Sequence, residues 1–201
     1  MTEASTPFAP KPSPWRDAAA RLAIRLPTRR AALKALHWGI LPFFIWFLFA
    51  DPDALRRAGP FWFGLHSVNG LVFVTLALVW TAWHLRRGLA SRPGPKLPPW
   101  AKMTHQIMHK TLIWGLFLVA LGGFGLGLTS AVLLRAGGIV PIAPPLNLPQ
   151  AHQLASWIHV YQFYALAGLA AFHAAFHVWR HFRLKDNALR IMVPKGLHGL
   201  L

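Results

Sequence analysis

Residues 152–179 read HQLASWIHVYQFYALAGLAAFHAAFHVW, 28 residues without one Asp, Glu, Lys or Arg. A helix of that length rises about 42 Å, whereas some 20 apolar residues already cross the ~30 Å hydrocarbon layer of a bilayer. Three similar stretches precede it. Ala31–Ala50 is uncharged from Ala35 onward and begins beside Lys34; Phe61–Leu85 lies between Arg56-Arg57 and Arg86-Arg87; Ile107–Leu128 begins beside Lys110. Pro42 is expected to kink the first. The third contains Gly122, Gly123, Gly125 and Gly127, small enough to let a neighbouring backbone or a flat ligand approach. Pro141, Pro144, Pro145 and Pro149 break the front of the uncharged run that leads into the fourth, so Ala131–Ala143 reads as a partly immersed loop. The whole chain agrees: of 201 residues 55% are hydrophobic and 13% charged, with mean hydropathy +0.40, too apolar for a soluble domain. The expected fold is an all-α integral membrane four-helix bundle.

The basic residues orient it. Lys+Arg number 21 against 5 Asp+Glu, a net charge of +16. Eighteen of the 21 lie before the first span, between the second and third, or after the fourth; only Arg56, Arg57 and Arg135 fall in the other two loops. By the positive-inside rule both termini face the cytoplasm. The charge therefore encodes topology, and nucleic-acid binding is excluded because the basic residues form interfacial collars with no recognition module. The expected organisation is a basic, Pro-rich cytoplasmic segment over 1–30, the four-helix domain over 31–182 and a cytoplasmic tail over 183–201. Residues 1–30 lack the unbroken apolar core of a secretory leader; within them Arg16–Leu26 reads either as a short amphipathic surface helix or as an unstructured tail.

The chain has no cysteine, which excludes disulfides, zinc–thiolate sites, an iron–sulfur cluster within it, c-type haem attachment and a thiol nucleophile. Eleven histidines remain as the main ligand set. His84, His152, His181 and His198 lie near helix ends and read as interfacial polar groups. The deeper ones need a partner, because a polar side chain in lipid must pair or ligate. His159 and His173 are 14 residues apart, about 40° short of four full turns, so they share a face of the fourth span and stand roughly 21 Å apart along its axis. His37 enters the membrane from the cytoplasmic side to the depth of His173, and His66 enters from the opposite side to the depth of His159. Two pairs result, His37 with His173 and His66 with His159, each bridging separate helices at one level. This is the arrangement that two bis-histidine haem groups need. Gly70, one turn from His66, would leave room for a porphyrin plane. No acidic residue falls inside a span, which disfavours a carboxylate-based proton pump or ion channel. Three histidines compete: His177, one turn from His173, could replace it as ligand, and His105 and His109, one turn apart, could meet a haem propionate, a quinone oxygen or lipid headgroups.

Leu36-His37-Trp38, His66, the 14-residue spacing of His159 and His173, and the segment Lys185-Asp186-Asn187-Ala188-Leu189-Arg190-Ile191-Met192-Val193-Pro194 together resemble the bacterial di-haem cytochrome b561 proteins, over about Ala31–Pro194. That resemblance implies that His37, His66, His159 and His173 are the axial ligands of two haem b groups. It also implies a protein of the bacterial inner membrane that exchanges electrons between a quinone pool, ubiquinone in one branch, and an outer-face donor or acceptor. In that branch the donor is superoxide; in others a hydrogenase or another periplasmic redox protein uses the cytochrome as its membrane subunit. Two rival readings stand beside it, a haem-binding anchor that only relays a soluble dehydrogenase's electrons, and a colourless transporter or structural protein.

Overall fold

In a computed structural model, residues 14–15 and 28–200 are described; Arg16–Leu26 falls outside them. The chain divides into two compact units, Met1–Leu33 and Lys34–Leu201. Thr28, in the first, opens helix α1 (Arg29–Phe49), most of which belongs to the second; the Thr28 Oγ1 accepts the Ala31 N–H at 3.2 Å. The second continues with α2 (Pro52–Ala58), α3 (Pro60–Arg87), α4 (Pro99–Thr129), a hairpin of β1 (Leu134–Ala136) and β2 (Val140–Ala143), α5 (Pro149–Arg183), α6 (Ala188–Met192) and a 3₁₀ turn (Lys195–Leu200). Proline stands at the start of α2, α3, α4 and α5, where its missing N–H costs nothing and its fixed φ suits the first turn. Pro42 lies inside α1, and the helix runs through it.

Each expected span sits within one of the four long helices. Three of them, α1, α3 and α4, are long and apolar enough to cross a membrane, with mean hydropathies of 1.6, 1.6 and 2.0. The fourth, α5, is the longest at 35 residues. Its histidines 152, 159, 173, 177 and 181, with Gln153 and Gln162, dilute its apolarity, and length and composition alone do not mark it as a span. Exposed Leu71, Leu78, Val79, Leu118, Leu121 and Phe172 give the long helices an apolar outer surface suited to lipid.

Two elements depart from the expected outline. The loop between the first two spans holds α2, whose start is fixed by Asp51: the carboxylate accepts the Ala54 N–H at 2.7 Å ahead of Pro52. Within residues 131–143, read from sequence as a partly immersed loop, 134–143 form an antiparallel hairpin, its turn made by Gly137 and Gly138 with φ of 57° and 74°. Two successive positive φ values are the signature of a tight hairpin turn that glycine alone enters without strain.

Helix α5 packs mainly on α4, and α3 packs on α4 as well. The central core is Ile40, Phe73, Ala77, Val119 and Leu166, one or two from each long helix, ringed by Phe43, Phe44, Phe47 and Phe163. A second cluster, Leu97, Ala101, Met108 and Phe176, closes the end where α4 begins and α5 finishes.

The segment after α5 folds back on the bundle. Lys34 Nζ donates to the Val193 carbonyl at 2.9 Å, Trp38 Nε1 to that of Met192 at 2.8 Å, and Lys96 Nζ to that of Lys185 at 2.9 Å. Its anchor is an ion pair. Arg180 Nε and Nη2 donate to Asp186 Oδ2 at 2.9 and 2.7 Å, with both side chains under 5% exposed, and Asp186 Oδ1 accepts the Ala188 N–H. Gly94 makes room for it, since an added Cβ there would stand 2.8 Å from Arg180 Nη2. Arg180 is thus a buried structural cation and no member of an interfacial collar. Removing one partner strands the other without water, at a cost of about 3–5 kcal/mol, whereas replacing both with apolar residues is often neutral. Asp186→Ala is therefore expected to lower the melting temperature of the detergent-purified protein sharply, and Arg180→Met with Asp186→Ala to recover most of the loss. Equal melting of the single and double variants would refute the stranded-charge account.

Candidate functional site

The bundle brings the deep histidines to two levels. His37 on α1 and His173 on α5 face one another with ring centroids 6.5 Å apart and planes inclined by 41°. Trp38 and Trp80 set their edges against His37, each at 6.1 Å. At the other level, Phe47 meets His66 edge-on at 5.0 Å, and Phe63 lies parallel to it at 6.3 Å. His159, from α5, acts on His66 electrostatically, but among the described residues no ring contact joins the two as one joins His37 and His173.

Glycines stand at this second level: beside Gly70 the space is nearly open, a Cβ there meeting only Phe47 at 4.0 Å. The close approach is instead at Gly122 and Gly123 on α4. A Cβ on Gly123 would stand 3.1 Å from His159 Cε1, and one on Gly122 would stand 2.5 Å from Gln162 Oε1 and 3.3 Å from His159 Nδ1. Between the levels lies the apolar core, with Phe44 and Phe47 packed against Phe163 at 5.3 and 6.3 Å.

In His37, His66, His159 and His173 alike, Nδ1 is buried and has no hydrogen-bond partner. The same holds of His105 Nδ1, His177 Nε2 and the side chains of Trp46, Trp83 and Gln162, so an unpaired buried polar atom is not peculiar to these four. Of the histidines assigned to helix ends, His152 Nδ1 lies 3.1 Å from the Leu126 carbonyl and ties α5 to α4, and His198 Nε2 lies 3.0 Å from that of Val193. His84 and His181 each retain a buried, unpaired Nδ1.

One constellation escaped the reading of single helices. His105 and His109 from α4 and His177 from α5 converge, with one ring nitrogen from each lying within 4.8 Å of the others. His177 thus turns toward α4 as well as toward His173, whose ring centroid is 4.6 Å from its own. The signal was available: α4 begins and α5 ends on the same side, so one-turn histidine pairs at those two ends meet when the helices pack antiparallel.

A family model described as prokaryotic cytochrome b561 matches residues 29–195, and no curated protein matches the chain. The match takes in all four long helices, every histidine placed at the two levels, and the segment that folds back through Asp186. With more than half of its length matched, this chain belongs to the prokaryotic cytochrome b561 family, membrane b-type haem proteins of electron transfer.

Proposed function

We propose that the protein holds two b-type haem groups, one between His37 and His173 and one between His66 and His159, and conducts electrons across the bacterial inner membrane between a quinone pool and an outer-face redox partner. The observation that carries this reading is the 6.5 Å separation of the His37 and His173 rings. Two imidazoles bound on opposite sides of one metal by bonds of about 2 Å hold their ring centres about 6.4 Å apart. The unpaired Nδ1 atoms and the glycine cradle beside His159 also fit such a group. When bound, haem iron supplies reversible one-electron chemistry at a potential set by its ligands and burial.

The chain's own residues do the rest. The four imidazoles hold and orient, Trp38 and Trp80 wedge His37, and Phe47 and Phe63 wedge His66. The aromatic core between the levels keeps water out of the low-dielectric interior. In this reading α5 is the fourth span, carried across by its packing on α4, and both termini are cytoplasmic, as the eighteen basic residues on one side favour.

On the opposite side, the Arg56 guanidinium lies 4.8 Å above the Phe63 ring, which itself stacks on His66. Positive charge is thereby set close to that level, where an anionic donor such as superoxide, or the acidic face of a periplasmic redox protein, would exchange electrons. An apolar cleft on the same side is lined by Ile45, Trp46, Phe49, Ala50, Leu55 and Trp62, and the Trp46 indole N–H is buried without a partner.

Replacing His37 with Ala should halve the reduced-minus-oxidised haem absorbance per chain and spare the His66–His159 level; complete loss together with loss of fold would count against two independent levels. Gly123→Ala should act in reverse, crowding His159 and perturbing the spectrum of that level alone. An unchanged spectrum in Gly123→Ala would remove His159 from the ligand set.

A further inference from the structure

The convergence of His105, His109 and His177 is left over once the two histidine levels are accounted for. We propose that these three side chains form a separate site for a divalent transition-metal ion of the zinc class, bound by three neutral imidazoles and at least one water.

The argument rests on which nitrogens are free. His105 is fully buried, at 0% exposure. Its Nε2 lies 3.1 Å from Ser91 Oγ, while its Nδ1 is buried and unpaired. His109 has its Nδ1 2.6 Å from the His105 carbonyl, which fixes the proton there and leaves Nε2 with its lone pair. His177 Nε2 is buried and unpaired. One nitrogen from each ring therefore remains to ligate, and on two of the rings the other nitrogen is already held by an oxygen. That is the outer-shell pattern of metal-binding histidines, in which the second nitrogen's hydrogen bond sets the tautomer and the ring's orientation.

Charge permits it as well. Arg180 is the cation close to His105, and its charge is neutralised by Asp186 at 2.7 Å. Three imidazoles with an open position suit zinc, and imidazole nitrogen also suits copper and nickel. A bound ion would staple the start of α4 to the end of α5 one turn beyond His173.

The test uses the full-length, haem-containing chain purified in detergent, stripped with a chelator and equilibrated with zinc sulfate, with bound zinc counted by elemental mass spectrometry. One tightly held zinc per chain is expected in the wild type and in His198→Ala, and none in His105→Ala or His109→Gln. Ser91→Ala should keep the stoichiometry and weaken affinity about 10–100-fold. Haem absorbance is read on the same samples, so a variant that fails to assemble is recognised by losing haem, and Ser91→Ala then carries the test. No tight zinc in the wild type, equal zinc in His105→Ala and wild type, or unaltered affinity in Ser91→Ala would each overturn the site. A wild-type chain that binds zinc but no haem would sustain this site and refute the function proposed above.

Discussion

A buried imidazole cannot be left alone. In a medium with little water, each ring nitrogen must donate, accept or ligate, and leaving one unmade costs about 1–3 kcal/mol. Here His37, His66, His159 and His173 each carry a buried, unpaired Nδ1 in a bundle whose central core is apolar. An apolar residue at any of these positions would pack without that cost. In the proposed reading the haem groups they hold account for these histidines, and the packing of the long helices keeps the His37 and His173 rings 6.5 Å apart.

From this constraint the rest of the interior follows. Ile40, Phe73, Ala77, Val119 and Leu166 fill the space between the levels, so neither level reaches water through the middle of the bundle. Small residues appear where a ring must be approached, at Gly122 and Gly123, and large aromatic ones where a ring must be wedged, at Trp38, Trp80, Phe47 and Phe63. At the end where α5 leaves the bundle, the Arg180–Asp186 pair and three side chain–carbonyl bonds clamp the segment from Lys185 to Val193. Its residues act by holding the ends of α1 and α5 together, and so the positions of His37 and His173.

The long helices were legible because uncharged length and proline punctuation are local signals, and the pairing of His37 with His173 because helical rise converts residue number into depth. What depends on cross-helix packing was not legible. Gly70 is legible beside His66 because the two share a face, but the approach of Gly122 and Gly123 to His159 is not, since they lie on α4, a helix that supplies none of the four histidines. Arg180 counted among the surface cations because its partner sits six residues on, beyond the helix end, where a tight turn through Lys185 and Asn187, both with positive φ, brings Asp186 back. The three-histidine convergence likewise needs two helices at once. Helix α2 was the opposite case: Asp51, Pro52 and Asp53 spell a helix start, and a search for spans passes over seven residues.

The most direct measurement is the haem content of the purified chain, by pyridine haemochrome absorbance against protein from amino-acid analysis. Two haem b groups per polypeptide are predicted, one for each proposed histidine pair. A ratio near zero, or one that stays at a single haem after full reconstitution, would contradict the account.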